Sequence, residues 1–243
     1  MDEKITEIWK KYERGVEQHE LANMYSEAEL NHRFYMGDQW FGAKTGGREL
    51  PVLNFIKPVG KYKISMIAQN NIAVEYSDIS KSPIKADICR QLNRIAEKIW
   101  EKSKMDSVAW DTIKNAFITG DHYAYWHDDR NQYGDSIKCN SSPSLKCRLV
   151  NNVNIYFSDE QNPNLQEQEY IIISERLPTS AIREIGEKNG LTQEELALIY
   201  KDEGENHGTE ENSREVKTEN GKCTSLLYME KKNGEVSFCR SVR

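Results

Sequence analysis

Asn115 to Asp129 reads NAFITGDHYAYWHDD, and this stretch concentrates the side chains most able to do chemistry. His122, His127, Asp128 and Asp129 offer imidazoles and carboxylates, donors that suit zinc, manganese or iron, so a small metal-dependent hydrolase is one reading. The periodicity favours another. Tyr123, Tyr125 and His127 alternate with His122, Ala124 and Trp126, which predicts a strand with rings on both faces. Residues an odd number of positions apart on a strand point to opposite faces, so the two histidines reach one ion only through a bulge. Asp128 and Asp129, followed by Arg130 and Asn131, fit the polar mouth of a hairpin. The stretch reads as packed aromatics leading into a solvated turn, with no catalytic, cofactor-binding or metal-binding residue assigned.

Other reactive arrangements are missing from the sequence. No G-x-S-x-G elbow is present, and none of the five cysteines sits in a nucleophile signature. TGGREL lacks the lysine and the spacing of a phosphate-binding loop. Lys57, Lys61 and Lys63 form a small basic patch best read as a solvated helix face. Cys89, Cys139, Cys147, Cys223 and Cys239 are odd in number and scattered, which predicts five free thiols in a reducing compartment. The formal net charge of -6 and pI near 5.5 disfavour a domain that grips nucleic acid by neutralising phosphates. No apolar run approaches a membrane span, and the polar start MDEKITEIWKK lacks the apolar core of a secretory signal. The expectation is a soluble, non-enzymatic protein without a cofactor.

The elements that must position these residues are legible from hydrophobic spacing. Ile5, Ile8, Trp9, Tyr12 and Val16 mark an amphipathic helix from residue 3 to about 20, and a second helix runs to about Tyr35. Gly37, Gly42, Gly46 and Gly47 then punctuate a loop that carries Trp40 and Phe41. Trp40 is expected to pack into its own domain. A helix from Pro58 to Gln69 leads to an expected strand over Ala73 to Ser77. Ile84, Ile88, Leu92, Ile95 and Ile99 paint one apolar stripe on a long helix, the clearest in the chain. Met105 to Thr119 continues as helix, closed by Gly120.

Beyond the aromatic strand, Ser136 to Cys139, Lys146 to Val150, Val153 to Phe157 and Tyr170 to Glu175 read as further strands. Ser180 to Asn189 is a short helix. Thr192 and Glu195 form a capping box, stapled by Leu191 and Leu196, that opens a helix from Gln193 to about Lys201. Residues 203–222 are acidic and poor in apolar side chains, as in a linker or long loop. Asn233 and Gly234 then mark a tight hairpin. The predicted fold class is α+β, with long amphipathic helices packed on a small, mainly antiparallel sheet. The predicted division is a main domain over 1–202, the linker, and a hairpin over 223–243 that begins a following region, the sequence reading as interrupted at Arg243.

Five short segments, in order, resemble the N-terminal wing portion of tailed-bacteriophage portal proteins, the head-to-tail connectors. FYMGDQW at Phe34 to Trp40 is similar to that family's f-x-G-x-Q-W segment. RELPVLN at Arg48 to Asn54 resembles its R-x-P-x-x-x-N element, and NIAVEY at Asn71 to Tyr76 its following strand. AFITGDHYAYW at Ala116 to Trp126 resembles a-l-i-x-G-x-g-y, with His122 where a second glycine is common. VNNVNIYFSD at Val150 to Asp159 resembles a strand pair of the family, without the proline that commonly follows the aspartate there. The motif positions carried over are Gly37, Trp40, Pro51, Asn54, Gly120 and Tyr123.

The resemblance implies a structural role. Portal subunits close into homo-oligomeric rings, commonly dodecamers, at one vertex of the virion capsid after assembly in the host cytoplasm. The ring is the channel for DNA packaging and genome ejection, and double-stranded DNA passes through it without sequence-specific binding. Terminase, capsid or scaffold proteins and head-completion proteins dock on it. The stem, clip and crown of such a subunit lie mostly outside the similar segment, so this stretch alone is not expected to close a ring. A ring built from one repeated contact needs two different complementary surfaces, for which the first helix and the helices over Ile84 to Thr119 are candidates. An adaptor that binds one protein partner through the Trp40 loop is a further reading.

Overall fold

The computed structural model describes residues 3–44, 46–48, 50–69, 75–79, 83–128, 145–202 and 221–242. Two helices open the chain, α1 (Glu3–Leu21) and α2 (Met24–Met36), divided by Asn23 in the left-handed conformation. Three more follow: α3 (Ile56–Ala68), α4 (Pro83–Lys102) and α5 (Met105–Thr119). The strands are β1 (His122–Asp128), β2 (Leu145–Asn151), β3 (Ile155–Phe157), β4 (Tyr170–Pro178), β5 (Lys222–Lys232) and β6 (Glu235–Val242). Between β4 and β5 lie α6 (Thr179–Lys188) and α7 (Gln193–Ala197). The architecture is α+β, with a two-stranded ribbon β1-β2 and an antiparallel sheet β3-β4-β5-β6.

The four-stranded sheet is covered on both faces, and the alternation of its residues sorts the two cores. Tyr156, Ile172, Leu226 and Tyr228 face α1, where they meet Ile8 together with Trp9, Tyr12 and Val16. Ile155, Ile173 and Leu227 face the other way, onto Val150, Tyr123 and Tyr125 of the ribbon. Ile172 and Leu226 are fully shielded, and each such side chain is worth about 1.5–3 kcal/mol of burial. Gly15 lets α1 press on the sheet, since a Cβ there would stand 2.8 Å from the Tyr156 ring. Trp9 donates through Nε1 to Ser241 Oγ at 3.0 Å, and Lys11 donates to the Tyr228 hydroxyl at 3.0 Å, fixing the helix across β5 and β6.

The hairpin over 223–243, expected to begin a following region, is built into the main body. β5 pairs with β4 from Lys222 to Glu230, places Leu226, Leu227 and Tyr228 in the two cores, and lends Cys223 to a third beside Ile182, Leu196 and Ile199. Asn233 and Gly234 both take positive φ, 52° and 83°, the twist a two-residue hairpin needs. Residues 203–220 of the expected linker and the expected strand over 136–139 fall outside the described residues.

Three local readings are corrected. Residues 75–77 form no strand; Asn93 instead brackets Tyr76, accepting from its N–H at 2.7 Å and donating to its carbonyl at 3.2 Å. Of the strand expected over Val153 to Phe157, only β3 remains, because Asn152–Asn154 coil into a 3-10 turn that carries the chain from ribbon to sheet. α7 has the predicted capping box but stops at Ala197, four residues early. The carbonyl of Ile199 is taken by Arg183 at 2.7 Å, which draws the chain out of the helix and buries Ile199.

Candidate functional site

Three regions were candidates from sequence: the aromatic strand, the glycine-rich loop and the long striped helix. The strand is β1, paired with β2 from His122 opposite Asn151 to Asp128 opposite Leu145. Tyr123 and Tyr125 face the sheet, and the His127 ring stacks on Tyr125 with centroids 5.4 Å apart, so His127 shares that face. His122 lies on the other face, its Nε2 3.5 Å from Nδ2 of Asn115 on α5. The two imidazoles thus point away from each other, as their odd spacing requires. The Asp128 side chain and all of Asp129 fall outside the described residues. Among the described residues, no three His, Cys, Asp or Glu side chains are grouped to hold a metal ion.

The glycine-rich loop is tied down by four of the six motif positions. Gly37 ends α2 at φ 94°, and its N–H returns to the Phe34 carbonyl. The Asn54 amide donates to the Tyr35 carbonyl at 3.0 Å while its oxygen accepts from the Lys57 N–H at 3.0 Å, joining the end of α2 to the first turn of α3. A Cβ on Gly37 would stand 3.0 Å from Asn54 Nδ2, so glycine is required by space as well as by conformation. Trp40 donates through Nε1 to the Pro51 carbonyl at 3.1 Å and cinches the loop across its base. The expected packing of Trp40 is only partial: the ring is 44% exposed, and Phe41 beside it is capped by the Arg33 guanidinium 3.5 Å from its centroid.

Gly120 and Tyr123 control the exit from α5. Gly120 takes φ 93° and returns its N–H to Ala116, and three residues later Tyr123 enters the ribbon-to-sheet core against Phe157.

Sequence reasoning missed two charged clusters at the sheet. Glu175 on β4 sits between Arg148 of β2, with which it pairs, and Arg240 of β6 at 3.2 Å; Arg240 also donates to Ser225 at 2.9 Å. Burial pulls the Arg240 guanidinium below its ordinary range, and burial followed by repulsion from Arg240 does the same to Arg148. One residue on, and so on the opposite face of β4, Arg176 meets Asp202, which accepts from it at 2.5 Å and from the Thr224 N–H at 2.7 Å. Burial raises the Asp202 carboxyl, but those hydrogen bonds and the guanidinium charge outweigh it and leave the pKa below the usual value. The signal was present, since Glu175 keeps the parity of Ile173 and Arg240 faces Leu227, inward positions where a charge demands a partner.

The striped helix is the largest surprise. α4 buries none of its residues. Ile84 is 75% exposed and Ile88 51%, with Leu92 and Ile95 also open. The partly shielded positions are Ala86, Cys89, Asn93, Ala96, Ile99 and Trp100, and all of them but Ile99, the last residue of the stripe, centre about 120° around the helix from it. From Ile84 to Ala96, α4 therefore turns its small and polar side chains toward the body and its large aliphatic ones outward, and only its last turn tucks Ile99 and Trp100 partly in.

No protein-family model matches this chain, and no curated protein matches it in sequence. Cys89, Cys147, Cys223 and Cys239 are free thiols, while Cys139 falls outside the described residues. Among the described residues, no helix is long and apolar enough to cross a membrane.

Proposed function

We propose that this chain is the wing portion of a portal-type ring subunit of a tailed bacteriophage, a structural building block without catalytic chemistry of its own. It assembles with further copies around a passage for double-stranded DNA and offers docking surface to terminase, capsid or scaffold proteins and head-completion proteins at the capsid vertex. The observation that carries this reading is the work done by the six motif positions. Gly37, Trp40, Pro51 and Asn54 close the α2-to-α3 connection through a linked set of backbone and side-chain hydrogen bonds. Gly120 and Tyr123 launch the ribbon from α5. A motif series that sets chain reversals, and converges on no reactive centre, suits a scaffold.

Two further features agree. The net charge of -6 leaves a passing polyanion unbound, whereas a lining that matched one charge per about 1.7 Å of duplex would hold it still. The stripe of α4 supplies apolar surface that a monomer would not need. Electron microscopy of the full gene product tests the reading: closed rings are expected, and a strictly monomeric species at high concentration overturns it.

A further inference from the structure

Whole helices rarely face the wrong way without a partner, and α3 and α4 both do. On α4 the outward side chains are Ile84, Ile88, Leu92 and Ile95; on α3 they are Ile56, Val59, Tyr62, Met66 and Ile67, each at least 46% exposed. α3 is anchored to α5 and α2 only through its inner side, where Gly60 meets Phe117 and Tyr35 and Ile64 is buried. At roughly 200 Å² per large side chain, the exposed fractions amount to about 400 Å² of apolar surface on α4 and about 550 Å² on α3, each at the size of patch that on a soluble protein commonly marks an interaction site.

Charge says what covers it. α3 and α4 together carry eight basic and three acidic residues, a balance of +5. The rest of the chain then holds 25 basic against 36 acidic residues, a balance of −11. Two α4 stripes laid on each other would bring like charge together. The same stripe laid on another part of a second copy meets opposite charge.

The segment over residues 180–200 combines an acidic balance, four acidic against two basic residues, with exposed apolar side chains. The cleft between α6 and α7, about 480 Å³, is lined by Glu184, Glu187, Leu196 and Ala197, with Ser180, Arg183 and Gln193 completing its wall. Glu184 is paired with Lys188 at 2.8 Å, which leaves Glu187 as the acid of the lining and Glu194 and Glu195 on α7 beside it. Leu191, Leu198 and Tyr200 stand exposed at its margin. Gly186 holds the cleft floor close, since a Cβ there would lie 2.7 Å from Leu196 and 2.8 Å from Leu191.

We infer that the outward faces of α3 and α4 form one half of a head-to-tail contact between copies of this chain, and that the acidic, apolar-rimmed cleft of α6 and α7 on the next copy is the other half. This rests on the ring-subunit reading and says which surfaces make the ring. The contact is heterologous, as a repeated ring contact must be. Its apolar centre supplies affinity, and its charge complementarity sets register and encounter rate.

The test places the photocrosslinker benzoylphenylalanine at Ile88 in the whole protein, using a mixture of isotopically labelled and unlabelled chains. Crosslinks between differently labelled chains that map to residues 180–200 are expected. Glu187→Lys combined with Glu194→Lys, which leaves the pair of Glu184 with Lys188 intact, is expected to weaken self-association at least tenfold while leaving the unfolding midpoint in place. Crosslinks from α4 to α4, or to any other element, overturn this inference but leave the ring reading standing. A chain that never self-associates overturns both, as does capture of α4 by anionic lipid vesicles or by DNA with no crosslink between copies.

Discussion

The sheet and the helices of this protein dispose of apolar side chains in opposite ways. In the sheet, Ile172 is 0% exposed, pinned between α1 on one side and the inter-strand packing of β4 and β5 around it. In α4, Ile88 belongs to an equally regular apolar pattern yet stands half in water. The apolar periodicity of β3, β4 and the first part of β5 is satisfied inside one chain, and only the edge strand β6 leaves Val236 and Phe238 open. That of α3 and α4 is not, and on the ring-subunit reading proposed above the difference separates the part that holds this molecule together from the part that joins it to another copy.

The sharpest way to break that distinction is a matched pair of truncations. Ile172→Ala removes a fully packed side chain from the core between the sheet and α1 and should cost about 3–4 kcal/mol. Ile88→Ala should leave the stability of the isolated chain within about 0.5 kcal/mol, the scale of an exposed helix substitution. Urea unfolding of both variants at low protein concentration reads the difference. Equal losses would mean that the α4 stripe is covered within the chain.

The charged layer of the sheet half comes next in size. Glu175→Gln leaves Arg148 and Arg240 facing each other with Ser225 as the remaining neutral partner, and should cost about 2–3 kcal/mol. The companion variant Glu101→Gln, at an exposed acid of α4, should be silent in the same urea titration.

Smallest is a pH effect. Asp202 has a folded pKa below its ordinary value of 3.8, so its contribution to stability is present in full above that value and is lost as pH falls through the folded pKa. Asp202→Asn should therefore flatten the acid limb of the stability curve below about pH 4 and lower stability near neutrality by about 1–2 kcal/mol. Thermal unfolding between pH 2.5 and 7 checks both signs; an unchanged acid limb would show that the link between Arg176, Asp202 and Thr224 carries no stability.

How far the sequence could be read follows the same division. Helix periods and turn chemistry act locally, so α1, α2, α4, α5, the capping box at Thr192 and the turn at Asn233 and Gly234 stand within a few residues of where spacing and composition predict them. Long-range pairing is decided elsewhere. The hairpin of β5 and β6 looks detachable in sequence because an acidic stretch precedes it, yet nine register pairs to β4 place β5 in the interior of the sheet and make β6 its edge. Nothing local in Lys222 to Glu230 names its partner strand. The stripe of α4 is legible as a pattern, but a pattern gives the width of an apolar face and not its direction. Only the bonds of Asn93 to Tyr76 and the small side chains of Ala86 and Ala96 show that the helix is turned outward. At the aromatic strand, by contrast, parity alone sends His122 and His127 to opposite faces, and they stand there.

The account's central claim is that the open helical face is completed by another copy of the chain. Native mass spectrometry across a concentration series, comparing the unaltered protein with a double variant carrying Ile88→Asp and Leu92→Asp, tests it most directly. Higher oligomers that grow with concentration in the first and a monomer with an unchanged fold in the second are predicted. Identical mass distributions for the two proteins at every concentration would contradict it.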